Sequence, residues 1–191
     1  MDFVCNMQRL RERFLIGKEK EGDFVFLGMQ VSTHTNGSIV LSQQKYIQGI
    51  VESVVDKGRT SNSMCNTWEH KEYRRLVGEL LWVATTTRPD IAFRVCELSL
   101  KLHAPKVCDI TIANKVIRYI KKHTLDMIFR VLQYDKIHMV TYCDASFASA
   151  INDSSIGGTL VFLSDGEHYN LMHWKSSKSR GYAAPPWRGR P

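Results

Sequence analysis

The period of the apolar residues changes once along the chain, near Leu125, and that switch restricts the fold more than any other feature. Between Trp68 and Thr86, the residues Tyr73, Leu76, Val77, Leu80, Leu81 and Ala84 recur at three- and four-residue steps, which gathers them on one face of an α-helix. A second helix opens at Arg88-Pro89-Asp90, where proline needs no donor and the acid complements the helix dipole; Ile91, Val95, Leu98 and Leu102 form its stripe before Pro105. A third, over 107–123, sets Ile110, Ala113, Ile117 and Ile120 against Lys115, Arg118, Lys121 and Lys122. Beyond Leu125 the apolar runs shorten and become rich in β-formers: 127–132, 137–143, 158–163 and 169–174, the last two joined at Asp165-Gly166. The pattern predicts a compact helical unit followed by an antiparallel sheet, an α+β chain.

Upstream, the run Phe24–Val31 reads as one strand, and Asn36-Gly37 turns it back on Ile39-Val-Leu41 as a hairpin. Ser42 stands where an N-cap belongs. Tyr46, Ile47, Ile50, Val51 and Val54 then predict a helix lasting to Gly58, with a polar loop over 59–66. Trp68, Trp82 and Trp174 are expected in the core and Trp187 in an unstructured, proline-bearing tail over 179–191.

No apolar run approaches the ~20 residues a membrane-spanning helix needs. The first ten residues lack a positive leader before an apolar block. The expectation is an intracellular protein, cytoplasmic or nuclear, that is not secreted and has no membrane partner. Five cysteines at irregular spacing, without a C-x-x-C or a histidine pair, predict buried free thiols and no zinc site. Of the excess positive charge, most lies over residues 61–130, with 12 Lys and Arg against 7 Asp and Glu. A basic middle segment suits a polyanionic partner such as nucleic acid.

The chemistry is bounded by a shortage of acids. Asp144, closing the run Val140-Thr-Tyr-Cys-Asp144, suits a ligand of Mg²⁺, but no Asp or Glu follows Glu167 and no Asp-Asp pair occurs anywhere. Asp153, in a polar link between strands, reads as a solvated turn residue. Arg88 reads as a structural cation holding a carboxylate or backbone group in a bidentate bond. The seven histidines form no triad or metal spacing, and Gly157-Gly158 is no phosphate loop.

Six segments stand in the order found in the polyproteins of Ty1/copia-type retrotransposons, and the resemblance covers about residues 10–178. Phe26-Leu-Gly-Met-Gln-Val31 with Ile39-Val-Leu-Ser-Gln-Gln-Lys-Tyr46 resembles the stretch that closes the reverse-transcriptase palm and enters the thumb. Tyr73-Arg-Arg-Leu-Val-Gly78 with Thr87-Arg-Pro-Asp-Ile-Ala92 resembles the family's most specific signature. Ala113-Asn-Lys-Val-Ile-Arg-Tyr-Ile-Lys121 is similar to the helix before the ribonuclease H domain. Tyr142-Cys-Asp-Ala-Ser-Phe147, Ser154-Ser-Ile-Gly-Gly158 and Trp174-Lys-Ser-Ser-Lys178 resemble that domain's first three strands.

The resemblance implies a palm end and thumb start over 1–60, a helical thumb and connection over 61–126, and a truncated ribonuclease H-like sheet over 127–178. It implies that Asp144 is the first catalytic carboxylate and would hold Mg²⁺ only if the site were completed. It further implies that Lys115, Arg118, Lys121 and Lys122 touch phosphates of an RNA–DNA hybrid or primer–template, beside remaining Pol polyprotein segments. The family's Tyr-x-Asp-Asp hairpin has no counterpart here. After Ser179 the family's Glu-bearing helix gives way to Arg180-Gly-Tyr-Ala-Ala-Pro-Pro-Trp187, as a truncation, frameshift or splice would leave it. The expectation is a catalytically inactive fragment with weak nucleic-acid affinity. The alternatives are a ribonuclease H-type nuclease completed by a partner or a missing exon, and a remnant without function.

Overall fold

The computed structural model describes residues 3–14, 17, 20, 22–150 and 154–178. The predicted tail, Trp187 and Asp153 lie outside the described residues. Two antiparallel sheets flank a helical core, so the chain is α+β. In order come helix α1 (Phe3–Arg13), strands β1 (Phe24–Phe26), β2 (Met29–Thr33) and β3 (Ile39–Ser42), and helices α2 (Gln44–Gly49), α3 (Thr67–Thr86), α4 (Ala92–Ser99) and α5 (Val107–Lys122). Strands β4 (Met127–Phe129), β5 (His138–Ala150), β6 (Ser154–Ser164) and β7 (Tyr169–Lys178) complete the chain. The sheets run β1-β2-β3-β4 and β5-β6-β7.

The predicted strand Phe24–Val31 is in fact a hairpin. Leu27 and Gly28 both have positive φ, 49° and 79°, which turns the chain in two residues and pairs Phe26 with Met29. A leucine there costs about 1 kcal/mol of backbone strain, which hides the turn from any pattern of turn-forming residues. The Asn36-Gly37 turn stands as predicted: Gly37 takes a φ of 80°, and His34 N–H donates to the Ser38 carbonyl at 2.9 Å.

The helix predicted to Gly58 ends at Gly49, and Ile50 leaves it in an extended conformation. Side chains from α3 and α5 replace the helical hydrogen bonds of the next residues. The Asn114 carboxamide accepts from Ser53 N–H at 3.1 Å and donates to its carbonyl at 2.7 Å. Arg75 donates to the Val51 carbonyl and Lys121 to that of Ile50. Val51 and Val54, counted toward an apolar face, are exposed.

The core lies among α2–α5. Tyr73, Leu76, Leu80, Ile110, Ile117 and Ile120 are fully buried. Helix α3 opens with a capping box: the Asn66 side chain accepts from Glu69 N–H, and the Glu69 carboxylate from Asn66 N–H, each at 2.8 Å. Leu81 and Trp68, both expected inside, are exposed, whereas Val83 is buried. Pro89 opens a 3-10 turn over Pro89–Ile91 before α4.

Two further expectations need correction. Residues 127–129 do not belong to the C-terminal sheet: β4 pairs with β3, through Val40 opposite Ile128. Of the five unpaired cysteines only Cys96 is buried; Cys5 and Cys143 are exposed. No helix among the described residues is long and apolar enough to cross a membrane.

The second sheet is fastened to the rest by polar bonds. The Asn170 carboxamide makes two bonds of 2.8 Å with the backbone of Arg130, just past β4. The Trp174 indole N–H donates to the Ala84 carbonyl at 2.6 Å, in the last turn of α3.

Candidate nucleic-acid interface

Asp144 lies on β5 opposite Gly158 of β6, which in turn pairs with Ser176 of β7. It is exposed, and its Oδ1 accepts from the next backbone amide, Ala145 N–H, at 2.8 Å. With Tyr142, Leu160 and Trp174 it lines a groove of about 480 Å³ between the sheet and Pro89, Ala92 and Phe93 at the start of α4. Gly158 lines the same groove, where a Cβ would come 3.9 Å from the Asp144 carbonyl oxygen. A metal pair needs several oxygen donors converging on it. No group of three His, Cys, Asp or Glu side chains that could hold a metal ion occurs among the described residues, so the described donors do not fit such a pair.

Asp165, the nearest acid downstream in the described sequence, is spent on structure. Its carboxylate accepts from the backbone N–H groups of His168 (2.8 Å), Gln133 (3.0 Å) and Glu167 (3.1 Å). Those donors, that of His168 foremost, hold its pKa far below the usual carboxylate range.

The α5 cations divide into two pairs. Arg118 Nε bonds Glu52 at 3.1 Å, and Lys121 Nζ donates to the Ile50 carbonyl at 2.7 Å, so both brace the segment after α2. Lys115 and Lys122 are exposed and have no ion pair or hydrogen bond with the described residues. They are seven residues apart, two turns along one helix face.

Arg88 holds the structural role expected of it. It is 1% exposed, and its Nε and Nη2 grip both oxygens of Asp90 at 2.8 and 2.7 Å, while Nη1 donates to the Ile120 carbonyl at 3.3 Å. Burial opposes ionisation of Asp90, but the Arg88 bonds outweigh it and lower its pKa. A further cationic pair, Lys71 and Arg74, lies on α3, and Arg74 falls within the segment Tyr73-Arg-Arg-Leu-Val-Gly78. Its signal is angular: both lie away from the side of the helix that Tyr73, Leu76 and Leu80 bury.

Comparison with known proteins gives the arrangement a context. A transposon Ty5-1 protein of Saccharomyces cerevisiae is 32% identical over 176 residues, covering 84% of this chain and 55% of that protein. Retrovirus-related Pol polyproteins from the transposons RE1 and RE2 of Arabidopsis thaliana are 28% and 29% identical over 189 residues, 92% of this chain. The chain is thus distantly similar, at about 30% identity, to these retrotransposon proteins. It spans about half the length of the Ty5-1 relative and 12% of each Pol polyprotein. No protein-family model and no solved structure matches it. In this chain, the exposed cations and Asp144 lie on separate elements, α5 and α3 for the former and β5 for the latter.

Proposed function

We propose that the chain is a reverse-transcriptase and ribonuclease H segment of a Ty1/copia-like Pol polyprotein that binds an RNA–DNA hybrid weakly through its backbone phosphates and does not cleave it alone. On this reading, residues 1–60 correspond to the palm end and thumb start, 61–126 to the thumb and connection, and 127–178 to the opening of the ribonuclease H domain. The observation that carries it is the run of similarity to Pol polyproteins along 92% of the chain. The exposed Lys115 and Lys122 supply point charges for phosphates, and Arg118 is an exposed neighbour already paired with Glu52. Asp144 stands as the positional counterpart of the first nuclease carboxylate, and among the described residues no further His, Cys, Asp or Glu joins it in a group that could hold Mg²⁺.

The test is hybrid affinity at several salt concentrations. Each phosphate contact contributes roughly 0.7–0.9 to the slope of log K against log salt. A flat response overturns the phosphate reading. Cleavage of the RNA strand by the purified chain with Mg²⁺ or Mn²⁺, abolished in Asp144→Asn, overturns the assignment as inactive alone.

A further inference from the structure

We infer that the outward stripe of α3, formed by Trp68, Lys71, Arg74 and Gly78, is a contact site for single-stranded nucleic acid, with a base stacked on Trp68 and phosphates held by Lys71 and Arg74. This site is separate from the α5 cations invoked for the hybrid, and it accounts for three features that internal packing does not.

Trp68 is the first. Its side chain is 55% exposed in the opening turn of a well-formed helix, and it makes no ring contact or hydrogen bond with the described residues. A large apolar ring left in water costs hydrophobic free energy that burial would recover. An indole face is also the surface on which an unpaired base stacks, whatever its sequence.

Charge is the second. The acids of this end of α3 are engaged elsewhere: Glu69 pairs with Arg59 at 3.0 Å, and Glu72 and Glu79 share the one Arg75 cation at 2.9 Å, which leaves one negative charge over. Lys71 and Arg74 are exposed and have no ion pair among the described residues, so the stripe carries two cations that none of these acids holds. They flank an open cleft of about 400 Å³ with Cys65, Asn66, Thr67 and His70. Nothing in that cleft cancels them: the Cys65 thiol is pushed up to about 11, by burial first and then by Glu69 and Asp109, and stays neutral. His70 Nε2 is engaged with the Leu102 carbonyl at 2.8 Å.

Gly78 is the third. Glycine inside a helix costs roughly 0.5–1 kcal/mol relative to alanine. A Cβ at 78 would meet no atom within 4 Å, so no close internal packing calls for its absence. It lies four residues beyond Arg74 and seven beyond Lys71, on the same side of the helix. A bare backbone there lets a strand approach the helix closely. From Trp68 to Gly78 the stripe is about 15 Å long at 1.5 Å per residue.

The probe is oligo(dT) of about 15 nucleotides, within the site sizes of single-strand binders, titrated against the full chain and followed by tryptophan emission and by anisotropy. Binding is expected to quench emission. Trp68→Phe keeps a ring and binding but removes most of the quench, and Trp68→Ala weakens binding about ten-fold. Lys71→Gln with Arg74→Gln lowers the salt slope by about 1.4, at ~0.7 per contact for a single strand. Gly78→Gln weakens binding while thermal stability is held or raised, which separates obstruction from misfolding. Lys115→Gln with Lys122→Gln leaves oligo(dT) affinity within about a factor of two and instead reduces hybrid affinity, so this inference and the hybrid reading fail independently. Unchanged binding in the α3 variants, or an equal loss in the α5 pair, overturns the inference.

Discussion

The helical unit and the C-terminal sheet solve burial in different ways. In α3–α5 the apolar stripes close on each other, and Tyr73, Leu76, Leu80, Ile110, Ile117 and Ile120 lose all contact with solvent. The β5–β7 sheet buries Ile156 but exposes Met139, Tyr142, Leu160, Tyr169 and Met172, and it is held to the rest by the polar ties at Asn170, Asp165 and Trp174. The helices thus owe their association to non-directional apolar packing, whereas the sheet adds a few directional bonds to its packing against α4 and β4. Surface left open in a meander is surface for another element or chain.

Matched substitutions test that contrast most severely. Leu80→Ala empties a fully buried site and is expected to cost about 2–5 kcal/mol in chemical denaturation. Leu160→Ala, on the exposed β6 position, is expected to cost about 1 kcal/mol or less. Equal costs would break the comparison. Asn170→Ala is next in size: it strips partners from both Arg130 backbone groups, for about 1–3 kcal/mol. Hydrogen exchange should quicken around β7 and residue 130 before it changes in α5; simultaneous loss in all three would show one cooperative unit.

Acid sharpens the contrast with the smallest effect. Because three backbone donors depress the Asp165 pKa in the folded state, its stabilising contribution is present above the unfolded carboxylate value, about pH 4, and is lost as pH falls toward the folded value. Stability of Asp165→Asn should therefore fall less steeply than that of the parent below about pH 4. Parallel curves would remove the carboxylate from the ties that hold the sheet.

The regions differ as much in legibility. Helices α3 and α5 follow from local periodicity, since a stripe at 3.6 residues per turn decides which side is buried. The false extension past Gly49 came from the same rule: Val51 and Val54 fall in phase, yet Asn114, 61 residues beyond Ser53, supplies the bonds that hold the segment extended. Likewise β4 reads as a strand, but its partner β3 lies across four intervening α-helices. At the candidate sites, residue type located the α5 cations, whereas their availability depended on Glu52 and the Ile50 carbonyl, which lie far away in sequence. Trp68 counted as core by composition, although its place on the helix turns it outward.

The bond between the Trp174 indole and the Ala84 carbonyl makes the last turn of α3 a hinge plate shared by both halves of the molecule. The Thr87 and Arg88 amides both donate to Val83, and the strand supplies the donor that Ala84 takes from outside its helix. Swinging the sheet away would therefore fray that helix end, and a ligand lodged in the groove beside Asp144 would pull on the same fastening.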